Sequence, residues 1–264
     1  SSTRIKARVF QTGLLPGPVV AQVFNLLGSD AYTFNSNLPL IVINTHGQYI
    51  PGSGEANRIN ATVTVIDNFR GRTALTDGPQ FQGVCQIQER GQSSAGWAKH
   101  QYNVELNDPY GNDEEVSLLG LPAESDWVLN GPYADKTLMN NFLSYELFEL
   151  MGHYSVRRRY CEVFVADGAS SPLVNYPADY RGVYVLLEKI KVDKNRVALA
   201  RLAPEQIAEP EISGGYMFKK DKDSPGDLNF NTAGGGGFSG QSLKFHEPKP
   251  ADLGNNVNHP QVVW

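Results

Sequence analysis

Residues 83–106 read GVCQIQERGQSSAGWAKHQYNVEL. Gly83–Glu89 and Gln101–Leu106 are strand-like runs, and the Gly/Ser-rich segment Arg90–Gly96 between them is a turn. On the N-terminal side, Ala61–Ile66 (ATVTVI) alternates as a strand with one wet face does. Leu38–Asn44 (LPLIVIN) is the compact β-branched run of a buried strand. Arg4–Phe10 and Val19–Leu27 are strand candidates around a turn at Gly13–Pro18. Two strands make no independent domain, so residues 1–28 are expected to be the tail of an upstream β-sandwich-like module or a linker. On the C-terminal side the period changes. Thr137–Met151 (TLMNNFLSYELFELM) has apolar residues at 138, 139, 142, 143, 147, 150 and 151, which predicts an amphipathic helix with Leu143 and Leu147 turned to the sheet. Asp135 suits its N-cap and Gly152 its C-terminal glycine. Strands follow at Tyr160–Ala166, Gly182–Leu187 and Gly214–Lys219, and the run Gly234–Gly240 reads as a surface loop. A sheet, one helix and further strands predict an α+β domain over residues 29–264.

Composition narrows the classes. With 41% hydrophobic and 19% charged residues, the 264-residue chain is globular and long enough for a sizeable core. A net charge of -5 argues against a non-specific nucleic-acid binder, though not against a local basic pocket for phosphate. No apolar run is long enough to span a membrane. The start, Ser1-Ser2-Thr3-Arg4, carries no initiator Met and no signal-peptide pattern, so any export signal is expected upstream. Cys85 and Cys161 sit in separate strands outside any CxxC pair; they read as two small buried residues, with a disulfide open if the protein is exported. The five His residues are scattered, so no His-built metal site is expected.

Several phrases recur together in a known order. They are Arg90-Gly91-Gln92-Ser93-Ser94, then Lys99-His100-Gln101-Tyr102, Leu118-Leu119-Gly120-Leu121-Pro122 and Ser125-Asp126-Trp127-Val128-Leu129. Pro132-Tyr133-Ala134-Asp135-Lys136, Tyr145-Glu146-Leu147, Tyr180-Arg181-Gly182-Val183-Tyr184 with Glu188-Lys189, and Gly214-Gly215-Tyr216 with Lys219 and Asp221 complete the set. Together they resemble the CotH (spore-coat protein H) kinase family from about Asn35 to the last residue. The resemblance implies an atypical protein-kinase-like fold: a mostly antiparallel β N-lobe with one main helix, its second lobe truncated here. It implies ATP- and magnesium-dependent phosphoryl transfer to Ser or Thr of a coat or surface protein, and an extracytoplasmic location. The family's Arg-Asn pair at the start of the helix is replaced by Asn140-Asn141. The catalytic and metal-binding Asp residues are expected beyond Trp264, so the chain alone is expected to be inactive and no metal ligand is assigned within it.

The resemblance also implies roles for residues in hand. Arg90, Gly91, Ser93 and Ser94 would cover the nucleotide phosphates, although a polar hairpin turn needs no such role. Lys99 followed by Glu146 resembles the strand-Lys and helix-Glu pair of protein kinases, and Glu188 falls where a kinase hinge would hold the adenine edge. Asp221 and Asp223, in an alternating-charge loop, read as solvated. Two other classes stay open: a non-catalytic pseudokinase serving as a surface or coat protein, and a module of a secreted, carbohydrate-associated multidomain protein.

Overall fold

The computed structural model describes residues 2–52, 58–69, 71–168, 173–234 and 239–263. Residues 169–172 of the Ser/Pro-rich loop and 235–238 of the glycine-rich run lie outside the described residues. The chain divides into two compact units, residues 1–189 and 190–264.

The first unit opens with an antiparallel hairpin of β1 (Thr3–Ala7) and β2 (Val20–Phe24), followed by the single helical turn α1 (Ser29–Tyr32). Then come β3 (Asn35–Ser36), β4 (Leu40–Asn44), β5 (Ile59–Ile66), β6 (Thr73–Ala74), β7 (Phe81–Arg90), β8 (Gln101–Asn107) and β9 (Asp126–Asn130). Helix α2 (Asn140–Leu150) and strands β10 (Arg158–Ala166) and β11 (Tyr180–Glu188) complete the unit. β3 and β6 make a two-residue bridge outside the main sheet.

Seven strands close into a barrel in the order β10-β11-β9-β8-β7-β5-β4. Every pairing is antiparallel except the seam, where β4 runs parallel to β10 with Leu40 beside Glu162 and Asn44 beside Ala166. Alternation sorts the side chains. Ile41, Ile43, Val63, Val65, Cys85, Ile87, Val104, Leu106, Trp127, Leu129, Cys161, Val163 and Leu186 fill the interior, and the remaining space there is only about 10 Å³. That is a packed core, too small for any ligand. On the outside, Leu40, Val42, Ile66 and Phe164 pack with α1, while Val128, Val185 and Leu187 pack with Phe142 and Tyr145 of α2.

This architecture corrects the α+β, kinase-like fold with a truncated second lobe. The chain is mostly β around a closed barrel, and its described helices are one of 11 residues and two of 4. The expected strands overlap observed ones, but β9, which completes the barrel, and β13 and β14 of the second unit were not among them, and closure did not follow from the strands alone. Pattern identifies a strand's faces but not the partner of its edge, and the seam joins segments more than a hundred residues apart.

Helix α2 is also turned over. Leu143 and Leu147 are 44% and 60% exposed, while Glu146 and Glu149, themselves about half exposed, reach Arg158, whose side chain is only 4% exposed. A buried guanidinium requires carboxylate partners, and this fixes the helix rotation against its apolar stripe. The N-cap position is Met139 rather than Asp135, although Asp135 still receives the first helical amide, and Gly152 closes the other end as expected. Asp135 accepts the amide of Asn140 at 2.8 Å, and Gly152 (φ +84°) donates to Glu149 O at 2.9 Å. Cys85 and Cys161 are free and buried, and burial pushes both thiols up to about 12.

The second unit holds an antiparallel sheet of β12 (Met217–Lys219), β13 (Asn229–Asn231) and β14 (Ser242–Glu247), in the order β12-β14-β13, and a terminal turn α3 (Pro260–Val263). Leu228, Phe245 and Leu253 form its core.

Candidate functional site

One end of the barrel is open. There the C-terminal ends of β7 and β10 and the starts of β8 and β11 border a cavity of about 590 Å³, lined by Glu89, Lys99, His100, Tyr102, Tyr133, Asp167, Tyr180, Arg181 and Tyr184 among others. The size suits a small ligand, and the lining combines cations with aromatic faces.

Lys99 stands just before β8. Its Nζ donates to Val183 O of β11 and lies 4.7 Å from the centre of the Tyr184 ring. Neither contact carries negative charge, and among the described residues no carboxylate is within ion-pairing distance of Lys99. Burial therefore lowers its pKa from the ordinary 10.5. Glycines make the room. A Cβ on Gly131 would come within 3.1 Å of Lys99 Cγ and 2.8 Å of Tyr184 Cε1, and one on Gly182 would stand 3.6 Å from Lys99 Nζ.

Arg181 is the extra residue of a β-bulge. Val163 pairs with Gly182 and Phe164 with Tyr180, so Arg181 has no partner across the ladder, and Gly182 takes φ +87° to accommodate it. The bulge aims the guanidinium into the cavity, where it donates to Asp167 at 2.9 Å and Val165 O at 3.1 Å. Glu89 lies 3.2 Å from His100, and burial, reinforced by the charge of Asp167, raises its carboxyl above 4.5 against the opposing pull of His100. Burial also pushes the Tyr102 hydroxyl up to about 12, with Arg181 opposing.

Of the residues given a nucleotide-site role in the sequence, Lys99 alone lines this cavity, although the phrases that resemble the family also carry His100, Tyr102, Tyr133, Tyr180, Arg181 and Tyr184 to it. Gly91 does need its left-handed backbone (φ +108°), because a Cβ there would meet Ser94 Oγ at 2.1 Å. The Ser94 hydroxyl accepts from Gln101 at 3.1 Å, Ser93 is exposed, and partly buried Arg90 lies near Tyr145 of α2. Glu146 does not reach Lys99. It pairs with Arg158 and lines a separate cavity of about 370 Å³ with Glu149, Arg157 and Arg159. Glu188 is buried at the far end of β11, where it holds the Arg157 guanidinium at 2.7 Å and the Arg157 amide at 3.1 Å. Asp221 and Asp223 are exposed in the second unit. Sequence reasoning gave no role to Arg181, Tyr184, Glu89 or Asp167. The available signal was Gly182: a glycine inside an otherwise strong strand marks a bulge or a close approach.

Fold and site together define a β-barrel protein with a tyrosine-lined cavity at one barrel mouth that holds both cations and carboxylates. The sequence model described as CotH kinase protein matches residues 87–234, more than half of the chain, and the chain belongs to this family. The matched segment contains every cavity residue named above. No curated protein matches the chain.

Proposed function

We propose that the barrel-mouth cavity binds the phosphates of a nucleotide, with Lys99 as the principal cation, and that the protein transfers a phosphoryl group to Ser or Thr hydroxyls of a protein partner. The observation that carries this reading is the state of Lys99: half-buried, held in place, and without a neutralising carboxylate among the described residues. A cation left in that condition is matched by an incoming anion. Arg181 adds a planar donor set beside it. Magnesium typically uses one or two protein carboxylates together with the substrate phosphates, and Glu89 and Asp167 are the carboxylates that line the cavity. When bound, the metal would neutralise charge developing on the transferred group. Membership of the CotH kinase protein family supports phosphoryl transfer as the reaction class.

A second reading, nucleotide binding without transfer, draws on one specific observation: the two cavity carboxylates are already engaged, Asp167 by Arg181 at 2.9 Å and Glu89 by His100 at 3.2 Å. Incubation of the full-length protein with γ-labelled ATP, magnesium and a Ser/Thr-rich acceptor separates the two. Acceptor labelling that is lost in Lys99→Met supports the enzyme. Saturable binding without labelling supports the binding protein, and absence of both removes the nucleotide reading.

A further inference from the structure

We propose that Tyr184 positions Lys99, the task that the family resemblance assigned to a helix glutamate; the functional meaning of this rests on the nucleotide reading above. A lysine side chain is a flexible stem, and a free one would sweep the cavity. Here the ammonium lies 4.7 Å from the ring centre of Tyr184, within reach of the electron-rich face of an aromatic ring. The ring is itself fixed. It is fully buried, its hydroxyl donates to His100 O at 2.8 Å, and it stacks on Tyr102 with ring centres 6.3 Å apart. Because His100 follows Lys99 in the chain, the hydrogen bond ties the ring to the same backbone that carries the lysine. Gly131 leaves the space that both side chains occupy.

The arrangement differs in kind from a Lys–Glu pair. A carboxylate orients a lysine but neutralises it, whereas an aromatic face orients it and leaves the full charge for an anion. Glu146 is engaged with Arg158, so the orienting task falls to the ring together with the Val183 carbonyl that accepts from the ammonium.

The test compares Tyr184→Phe, which keeps the ring, with Tyr184→Leu, which removes it, each with Lys99 and with Lys99→Met. Two signals are read. The first is the NMR resonance of Lys99 after ¹³C-dimethylation of the lysines, assigned by its loss in Lys99→Met. In the parent and in Tyr184→Phe it should be displaced upfield by the ring, and in Tyr184→Leu it should move to the position of a solvated lysine. The second is the dissociation constant of ATP–magnesium. Tyr184→Leu should weaken binding about tenfold, the scale of a desolvated cation–π contact, and Tyr184→Phe by no more than about twofold. In the Lys99→Met background the Leu substitution should add nothing, because its effect passes through the lysine. An equal loss in both backgrounds, or no upfield shift in the parent, overturns the proposal. If the parent binds no ATP–magnesium, the nucleotide reading fails on its own and the resonance still decides the positioning. If Tyr184→Leu does not fold, the parent's shift and nuclear Overhauser contact to the Tyr184 ring, with their retention in Tyr184→Phe, decide it; absence of either overturns the proposal.

Discussion

Lys99 is stabilised in place and destabilised in charge. Its stem packs against Tyr184 and past Gly131, but its ammonium has given up water without gaining a carboxylate. The sign of the pH effect follows. Burial holds the folded-state pKa below 10.5, so the unfolded chain binds the proton more readily. The stability contribution is fully present above the unfolded pKa and is lost as pH falls through the lowered folded value. At neutral pH, Lys99→Met should therefore melt no more than about 3 °C below the parent, the shift that ~1 kcal/mol gives a chain of this size, and can melt above it. Any advantage of the variant should shrink toward pH 10.5; a fall of more than about 6 °C would mean that the lysine is structural. Arg158 is the contrasting cation: 4% exposed, it is matched by Glu146, by Glu149 and by the face of Phe142 at 4.8 Å. Both glutamates are about half exposed, so Glu146→Gln alone should cost about 1 kcal/mol or less in denaturant unfolding. Glu146→Gln with Glu149→Gln strands a buried charge, and the loss should exceed the sum of the single losses, approaching ~3 kcal/mol.

Helix α2 turns Leu143, Leu147 and Leu150 outward, packs Phe142 and Tyr145 on the barrel, and reaches Arg158 with its carboxylates. Phe142 is the residue that anchors it, stacked on Tyr160 with ring centres 4.5 Å apart. Phe142→Ala should cost about 3 kcal/mol, while Leu147→Ala should cost under ~0.5 kcal/mol because that side chain already meets water. The reverse order in urea titrations would mean that the helix faces the way its apolar spacing predicts. That expectation failed because periodicity weighs apolar residues alone. The deciding residue, Arg158, lies in another element and becomes a buried charge only once β10 has joined the barrel. The strands were legible because alternation and β-branching are local properties: Ala61–Ile66, Gln101–Leu106 and Gly182–Leu187 all lie within observed strands. Lys99 was singled out by the family resemblance, and it stands just before β8 at the cavity. Arg181 was not legible, since the bulge that aims it depends on the register of β10 against β11. Glu188, which the family resemblance put at a hinge, has its charge taken up by Arg157, a partner that the sequence pattern did not reveal.

The barrel as a whole explains why the candidate site lies at a rim. Its interior is filled from Ile41 to Leu186, so a ligand has no way in, and polar side chains gather only where the ladders stop. The parallel seam of β4 and β10 brings Asp167 to the same rim as Lys99 and Arg181, and closure thereby assembles one cavity from several distant stretches of chain. Among the described residues no helix is long and apolar enough to cross a membrane. The decisive experiment is calorimetric titration of ATP–magnesium into the parent and into Lys99→Met, with melting curves as the control for folding. The cavity reading predicts that the variant folds like the parent and binds at least about tenfold more weakly, the cost of removing one charge-assisted phosphate contact. Binding by Lys99→Met as tight as that of the parent would contradict it.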